Sequence, residues 1–241
     1  KIMTAILAIE MDKMDQVMTA SAAAINDIGK DGSNIGILPG EEMTMEELLK
    51  ALLICSANES ANIIAENLCP TRQDFVDLMN KKAAELGAVN THFANPSGMH
   101  DENHYTTAED MAKIARYAMT LEEFRNIAKM KSYTPNPTNK HTVYKEDGST
   151  GKIGGTVWPP VLYTTNKLMQ YDDGKSGFII DGIKTGYTGP AGYCLVTSAT
   201  STEDKDMQLI SVVMGMKSPG SQTAIRTFTK QLLEYGFKNF K

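Results

Sequence analysis

No stretch of this 241-residue chain is apolar for long enough to cross a bilayer, which excludes a transmembrane helix within it. Cysteine is scarce: Cys55, Cys69 and Cys194 are an odd number without metal-like spacing, which argues against a disulfide framework and a zinc cluster and reads as buried thiols. Runs of lysine or arginine are also missing, and the net charge is −5, so no phosphate-tracking face for nucleic acid is present. Internal repeats and low-complexity tracts are absent. The single tryptophan, Trp158, stands beside two prolines and reads as a buried loop anchor rather than a substrate platform. What the chain does contain is 41% hydrophobic residues, enough for a substantial globular core.

The stretch from Asp181 to Val196, DGIKTGYTGPAGYCLV, carries a Lys184-Thr185-Gly186 triplet running into an alternating segment of Tyr193, Leu195, Val196 and Thr197. This reads as a strand with its charge at the rim of a sheet. Lysine offers a positive charge to an anionic substrate group, threonine a hydroxyl beside it, and glycine a bare backbone on which substrate can lie. The triplet alone is common, so its weight depends on partners elsewhere. At the start of the chain, apolar residues at 2, 3, 6, 7 and 9 predict a helix with Lys1 at its amino end, where the helix dipole favours loss of the lysine proton. A second pair, Ser56 and Asn58, flanks Ala57 between two predicted helices; in an extended or looped connection both side chains point the same way. Cys55 beside them has no histidine pattern in support of a thiol nucleophile, and its apolar neighbours favour packing.

The remaining segments alternate between clear helices and strands. Residues 20 to 40 read as short strands and turns. Thr44 with Glu47 predicts a capping box for the helix from Met45 to Ile54, and a further helix begins near Glu59. Thr71 to Leu86 is amphipathic and closed by Gly87; Thr106 with Glu109 and Thr120 with Glu123 predict the caps of the next two helices. His100 and His104 lie four apart, but the run His-Asp-Glu-Asn-His after a Pro-Ser-Gly turn is not the His-Glu-x-x-His of a zinc helix, so no metal is expected. Gly192 to Thr200 and Met207 to Gly215 form a hairpin. A last helix runs from Pro219 to Tyr235, with Ile225, Phe228, Leu232 and Leu233 inward and Gly236 as its stop.

Ser-x-x-Lys, Ser-Asp-Asn and Lys-Thr-Gly are the set used by penicillin-binding proteins and class A β-lactamases, and Lys1, Ser56/Asn58 and Lys184 follow its order. Over essentially its whole length the sequence resembles the serine D-alanyl-D-alanine carboxypeptidases, the low-molecular-mass penicillin-binding proteins of the transpeptidase-like superfamily. KIMTAILAIE, SANESANIIAE, HFANPSGMHDENHYTTAEDMAKIAR, YTTNKLM, DGIKTGYTGPAGYCL and LLEYGF carry the likeness.

The resemblance implies an α+β fold: an antiparallel sheet flanked by helices (131–241 with 1–40) and a mostly helical subdomain (about 40–130), forming one catalytic domain. It puts the nucleophilic serine three residues before Lys1, outside this chain together with the family's N-terminal strands. Lys1 is then the base, Ser56 the proton relay and Asn58 the substrate-orienting amide. Lys184 and Thr185 hold a terminal carboxylate, Gly186 and the Tyr187 backbone line the oxyanion site, and Arg226 is a second carboxylate contact. No cofactor is implied. The partners are a peptidoglycan stem peptide ending in D-Ala-D-Ala and β-lactams as inhibitors, in the extracytoplasmic cell envelope, with any membrane attachment through segments outside this chain. A β-lactamase of the same fold is the alternative enzyme; it is disfavoured by the lack of a Glu-x-x-Leu-Asn run and by Ser-Ala-Asn in place of Ser-Asp-Asn. A non-catalytic wall-peptide binder lacking the nucleophile is the alternative from another class.

Overall fold

The computed structural model describes every residue except 30–31, 143–155, 158–160, 171–174, 218–219 and 241. Trp158 and the predicted first residue of the last helix, Pro219, lie outside the described residues. The helices are α1 (Ile2–Glu10), α2 (Ala22–Asn26), α3 (Met45–Ile54), α4 (Asn58–Leu68), α5 (Arg72–Glu85), α6 (Ala108–Ala118), α7 (Glu122–Ala128), α8 (Lys167–Gln170) and α9 (Ser221–Asn239). The strands are β1 (Val17–Thr19), β2 (Glu42–Thr44), β3 (Ser132–Tyr133), β4 (His141–Thr142), β5 (Thr156–Val157), β6 (Leu162–Tyr163), β7 (Phe178–Thr188), β8 (Gly192–Ser201) and β9 (Gln208–Met216).

The position of α1 follows from its composition. Ile2 to Ile9 are all buried, so the helix is apolar all round and runs through the middle of the helical cluster, touching α3, α4, α5, α6 and α7. Helix α3 packs beside it, with Leu48, Leu49 and Leu52 fully enclosed. The cap of α3 is only half of the predicted box: the Thr44 hydroxyl accepts the Glu47 N–H at 3.3 Å, but the Glu47 carboxylate turns to Lys50 and Asn136. Thr71 and Asp74 make a full reciprocal box on α5 instead.

Two other predicted caps move by one residue or disappear. Thr107, not Thr106, caps α6 by accepting the Asp110 N–H, because the Thr106 hydroxyl is engaged with Thr91. Thr120 bonds back to the Tyr117 carbonyl and so ends α6 rather than starting α7, whose N-cap is Leu121. Between residues 20 and 40 the chain makes a five-residue helix, α2, nucleated by the Ser21 cap, where only strands and turns were predicted.

The triplet and the alternating segment are two strands, not one. Lys184-Thr185-Gly186 belongs to β7, the chain turns at 189–191, and Tyr193, Leu195, Val196 and Thr197 belong to β8. They pair antiparallel, Lys184 with Val196 and Thr185 with Leu195, and β9 extends the sheet in the order β7-β8-β9. The sheet has two covered faces. Ile183 and Val196 join the helical core, while Phe178, Ile180 and Ala199 pack with Met169 and Leu233 in a smaller cluster under α9.

Helix α9 passes through Gly236 to Asn239. Gly236 is not a stop; it lets the helix lie against β9, where a Cβ would meet the Leu209 side chain at 2.6 Å. Ile225 and Leu233 are buried as expected, but Phe228 and Leu232 face outward, about half exposed.

Candidate active site

Lys1 sits at the N-cap of α1, with its amine against the first residue of α4. Its Nζ donates to the Asn58 Oδ1 at 2.6 Å and to the Ser97 carbonyl at 2.6 Å. Asn58 opens α4 and is buried; its Nδ2 donates to the Ile28 carbonyl at 3.1 Å and approaches the Met99 sulfur at 3.1 Å. The amide is thereby fixed with its oxygen toward the amine. The loop carrying Ser97 is held as well, since the Thr4 hydroxyl on α1 donates to the Pro96 carbonyl and Asn95 accepts the Gly98 and Met99 N–H groups.

Burial pushes the Lys1 amine down to about 8, opposed by the nearby Glu59 carboxylate. Glu59 is itself pushed up by burial, although its Oε1 accepts the Ile35 and Gly36 N–H groups. A neutral primary amine has two N–H donors and one lone pair. Asn58 and Ser97 take both donors, so the lone pair is left to accept a proton. An amine so held can take up a proton from a neighbouring group.

Lys184 is the second buried amine. It is 7% exposed, and burial followed by repulsion from Lys1 holds it well below the usual lysine range. Its Nζ donates to the Thr185 carbonyl at 3.0 Å. The Thr185 hydroxyl meets that of Thr165 at 2.7 Å. Gly186 is exposed, and a Cβ there would find only ordinary contact with Cys194 at 3.7 Å. Among the described residues nothing therefore requires glycine at this position.

Ser56 occupies the corner between α3 and α4 at φ 64°, a left-handed conformation that costs a non-glycine residue roughly 1 kcal/mol or more. The connection is a short loop through Ser56 and Ala57, and Asn58 is already the first residue of α4. The neighbouring Cys55 thiol is pushed up to about 11 by burial, with the Lys184 charge opposing, so it stays protonated near neutral pH. Tyr187 is exposed and its ring packs, tilted, against that of Tyr193 across the strand pair at 4.4 Å between centroids. Arg226 lies on α9, where its guanidinium donates to the Thr223 hydroxyl at 3.1 Å, and the bonds that tie Lys1, Asn58 and Ser97 together do not include it.

Among the described residues no group of histidine, cysteine and carboxylate side chains could hold a metal ion. His104 is used structurally: its Nδ1 accepts the Ala94 N–H at 3.2 Å and its ring packs edge-on to Phe93. The roles of the Ser97 carbonyl and of Thr165 were not foreseen. Their only sequence signals are the Asn-Pro-Ser-Gly turn and the position of YTTNKLM ahead of the triplet.

Residues 1–218 match the family described as D-alanyl-D-alanine carboxypeptidase. The chain is similar to D-alanyl-D-alanine carboxypeptidase DacF of Bacillus subtilis, with 36% identity over all of this chain and 55% of that protein. It is similar to DacC of Escherichia coli as well, at 28% identity over all of this chain and 54% of that protein. The chain thus spans about half the length of these relatives. Among solved structures, the Streptomyces K15 DD-transpeptidase superposes with a TM-score of 0.78 at 26% identity, covering 98% of this chain and 85% of that one. The antiparallel sheet flanked by helices is the fold these neighbours share.

Proposed function

The chain belongs to the D-alanyl-D-alanine carboxypeptidase family, and from that premise we propose that it carries most of the catalytic apparatus of a serine carboxypeptidase. The substrate is a peptidoglycan stem peptide ending in D-Ala-D-Ala. The observation that carries this reading is Lys1: a buried amine with both N–H donors engaged and its lone pair open. The family pattern Ser-x-x-Lys puts the nucleophilic serine three residues before that lysine.

In the first step the serine oxygen attacks the carbonyl between the two D-alanines while Lys1 takes the serine proton. Backbone N–H groups, that of Tyr187 among them, hold the oxyanion. The carbon–nitrogen bond then breaks, and Ser56 relays the proton from Lys1 to the departing amine. Asn58 keeps Lys1 in place and orients the peptide. Water next attacks the acyl-serine ester, releasing the shortened peptide and restoring the serine.

Lys184 and Thr185 receive the terminal carboxylate. A carboxylate beside the depressed Lys184 amine draws a proton onto it, and the resulting ammonium opposes protonation of Lys1. Binding of the correct end therefore favours the neutral base. The bare backbone at Gly186, unexplained by packing among the described residues, fits a substrate lying along β7. Arg226 is retained as an outer carboxylate contact. A β-lactam offers a similar carbonyl and carboxylate, so it acylates the same serine. The substrate lies in the cell envelope, which places the working enzyme outside the cytoplasm. Among the described residues no helix is long and apolar enough to cross a membrane.

Intact mass spectrometry of the full-length protein with a penicillin tests this directly, alongside release of D-alanine from a D-Ala-D-Ala peptide. One persistent penicilloyl adduct and D-alanine release are expected. No adduct and no release would favour a non-catalytic binder, and rapid turnover of the adduct would favour a β-lactamase.

A further inference from the structure

We propose that Thr165 is part of the carboxylate site, forming with Thr185 of the Lys-Thr-Gly triplet a fork of two hydroxyl donors. The inference deepens the preceding functional reading and rests on it for the identity of the ligand. Its geometric basis is separate: the two hydroxyl oxygens are 2.7 Å apart, and Thr165 is exposed although its neighbours Thr164 and Asn166 are buried.

An exposed threonine is ordinarily free to move, but this one is pinned. Its N–H donates to the Ile54 carbonyl at 3.0 Å, at the end of α3 and two residues before Ser56. The preceding Thr164 N–H donates to the Lys131 carbonyl at 2.9 Å, and the Asn166 side chain reaches the Gly182 carbonyl of β7 at 3.4 Å. Residue 165 thus bridges the helical corner that carries Ser56 and the strand that carries the Lys-Thr-Gly triplet. Its hydroxyl is held beside the group expected to bind substrate.

Each hydroxyl has one proton and rotates to suit its acceptor. With the cleft empty, one donates to the other. A carboxylate has two oxygens with about four lone-pair positions, so both protons turn to it, one to each oxygen. The buried Lys184, protonated when the carboxylate arrives, supplies the charge. Two neutral donors and one ammonium recognise a carboxylate, whereas a ligand without one leaves the hydroxyls bonded to each other.

The test uses the full-length protein and two acetylated peptides, one ending in D-Ala-D-Ala and one with ethylamine in place of the last D-alanine. Binding of each is measured by calorimetry for wild type, Thr165→Val and Thr165→Ser, and D-alanine release is followed in parallel. Loss of a hydrogen bond to a charged group should weaken Thr165→Val binding of the carboxylate peptide by roughly 10- to 100-fold, with the ethylamide changed less than about twofold. Thr165→Ser, which restores the hydroxyl, should recover the preference.

An unchanged affinity in Thr165→Val, or an equal fall for both peptides without rescue by serine, would overturn the fork and leave the carboxypeptidase reading intact. A wild type without preference for the carboxylate would also overturn it. A wild type that binds the carboxylate peptide preferentially but releases no D-alanine would sink the enzymatic reading, while the loss of preference in Thr165→Val would still support the fork.

Discussion

The ionisation of Lys1 can be tested through the pH dependence of acylation. A lysine at its ordinary value of 10.5 is neutral in about 0.03% of molecules at pH 7, whereas one at about 8 is neutral in about 10%. Burial of this side chain therefore supplies roughly a 300-fold gain in competent base at neutral pH. If the neutral form is the base, the acylation rate constant of the full-length protein with a chromogenic cephalosporin should rise about tenfold per pH unit below 8 and level off above about 9. Lys1→Arg, whose guanidinium keeps its proton throughout this range, should lower the rate by a factor of about 100 or more at every pH. Stopped-flow measurements from pH 6 to 10 would read both. A flat profile, a midpoint near 10.5, or an arginine variant with wild-type rates would refute the assignment of Lys1 as the neutral base.

Three further outcomes are expected. Asn58→Ala removes the acceptor of Lys1 and the donor to Ile28 at a buried position, so urea unfolding should show a loss of about 2 kcal/mol together with slower acylation. His104 is held neutral because burial pushes its imidazole from 6.5 down to about 4, opposed by Asp101. The unfolded chain takes up that proton first, so stability is constant in this respect above about pH 6.5 and falls by up to about 3 kcal/mol as the pH drops toward 4; thermal melts of wild type and His104→Gln across this window should diverge. Gly192→Ala meets the Met216 carbonyl at 2.7 Å at a residue with φ 72°, and a loss of about 2 kcal/mol or more should appear as a lower melting temperature.

Local order in the sequence determined much of this protein. Helix α1, the leucine face of α3, the amphipathic α5 with its terminal glycine, and the β8–β9 hairpin all follow from spacing that the backbone repeats every 3.6 or 2 residues. The order Lys1, Ser56/Asn58, Lys184 likewise stood in the sequence as chemistry waiting for geometry. The tertiary structure decided the rest, because it depends on which residues meet across long separations. Thr106 and Thr107 are equivalent cap candidates until Thr91 claims one of them. Phe228 and Leu232 fit the inward face of α9 by spacing, yet only Ile225 and Leu233 find the sheet. Lys1 is an ordinary lysine until a neighbour 57 positions away and a carbonyl 96 positions away take its two N–H donors. A pattern of residues encodes which side of a helix is apolar; the dielectric around an amine, and the partner a hydroxyl meets, exist only after packing has closed over them.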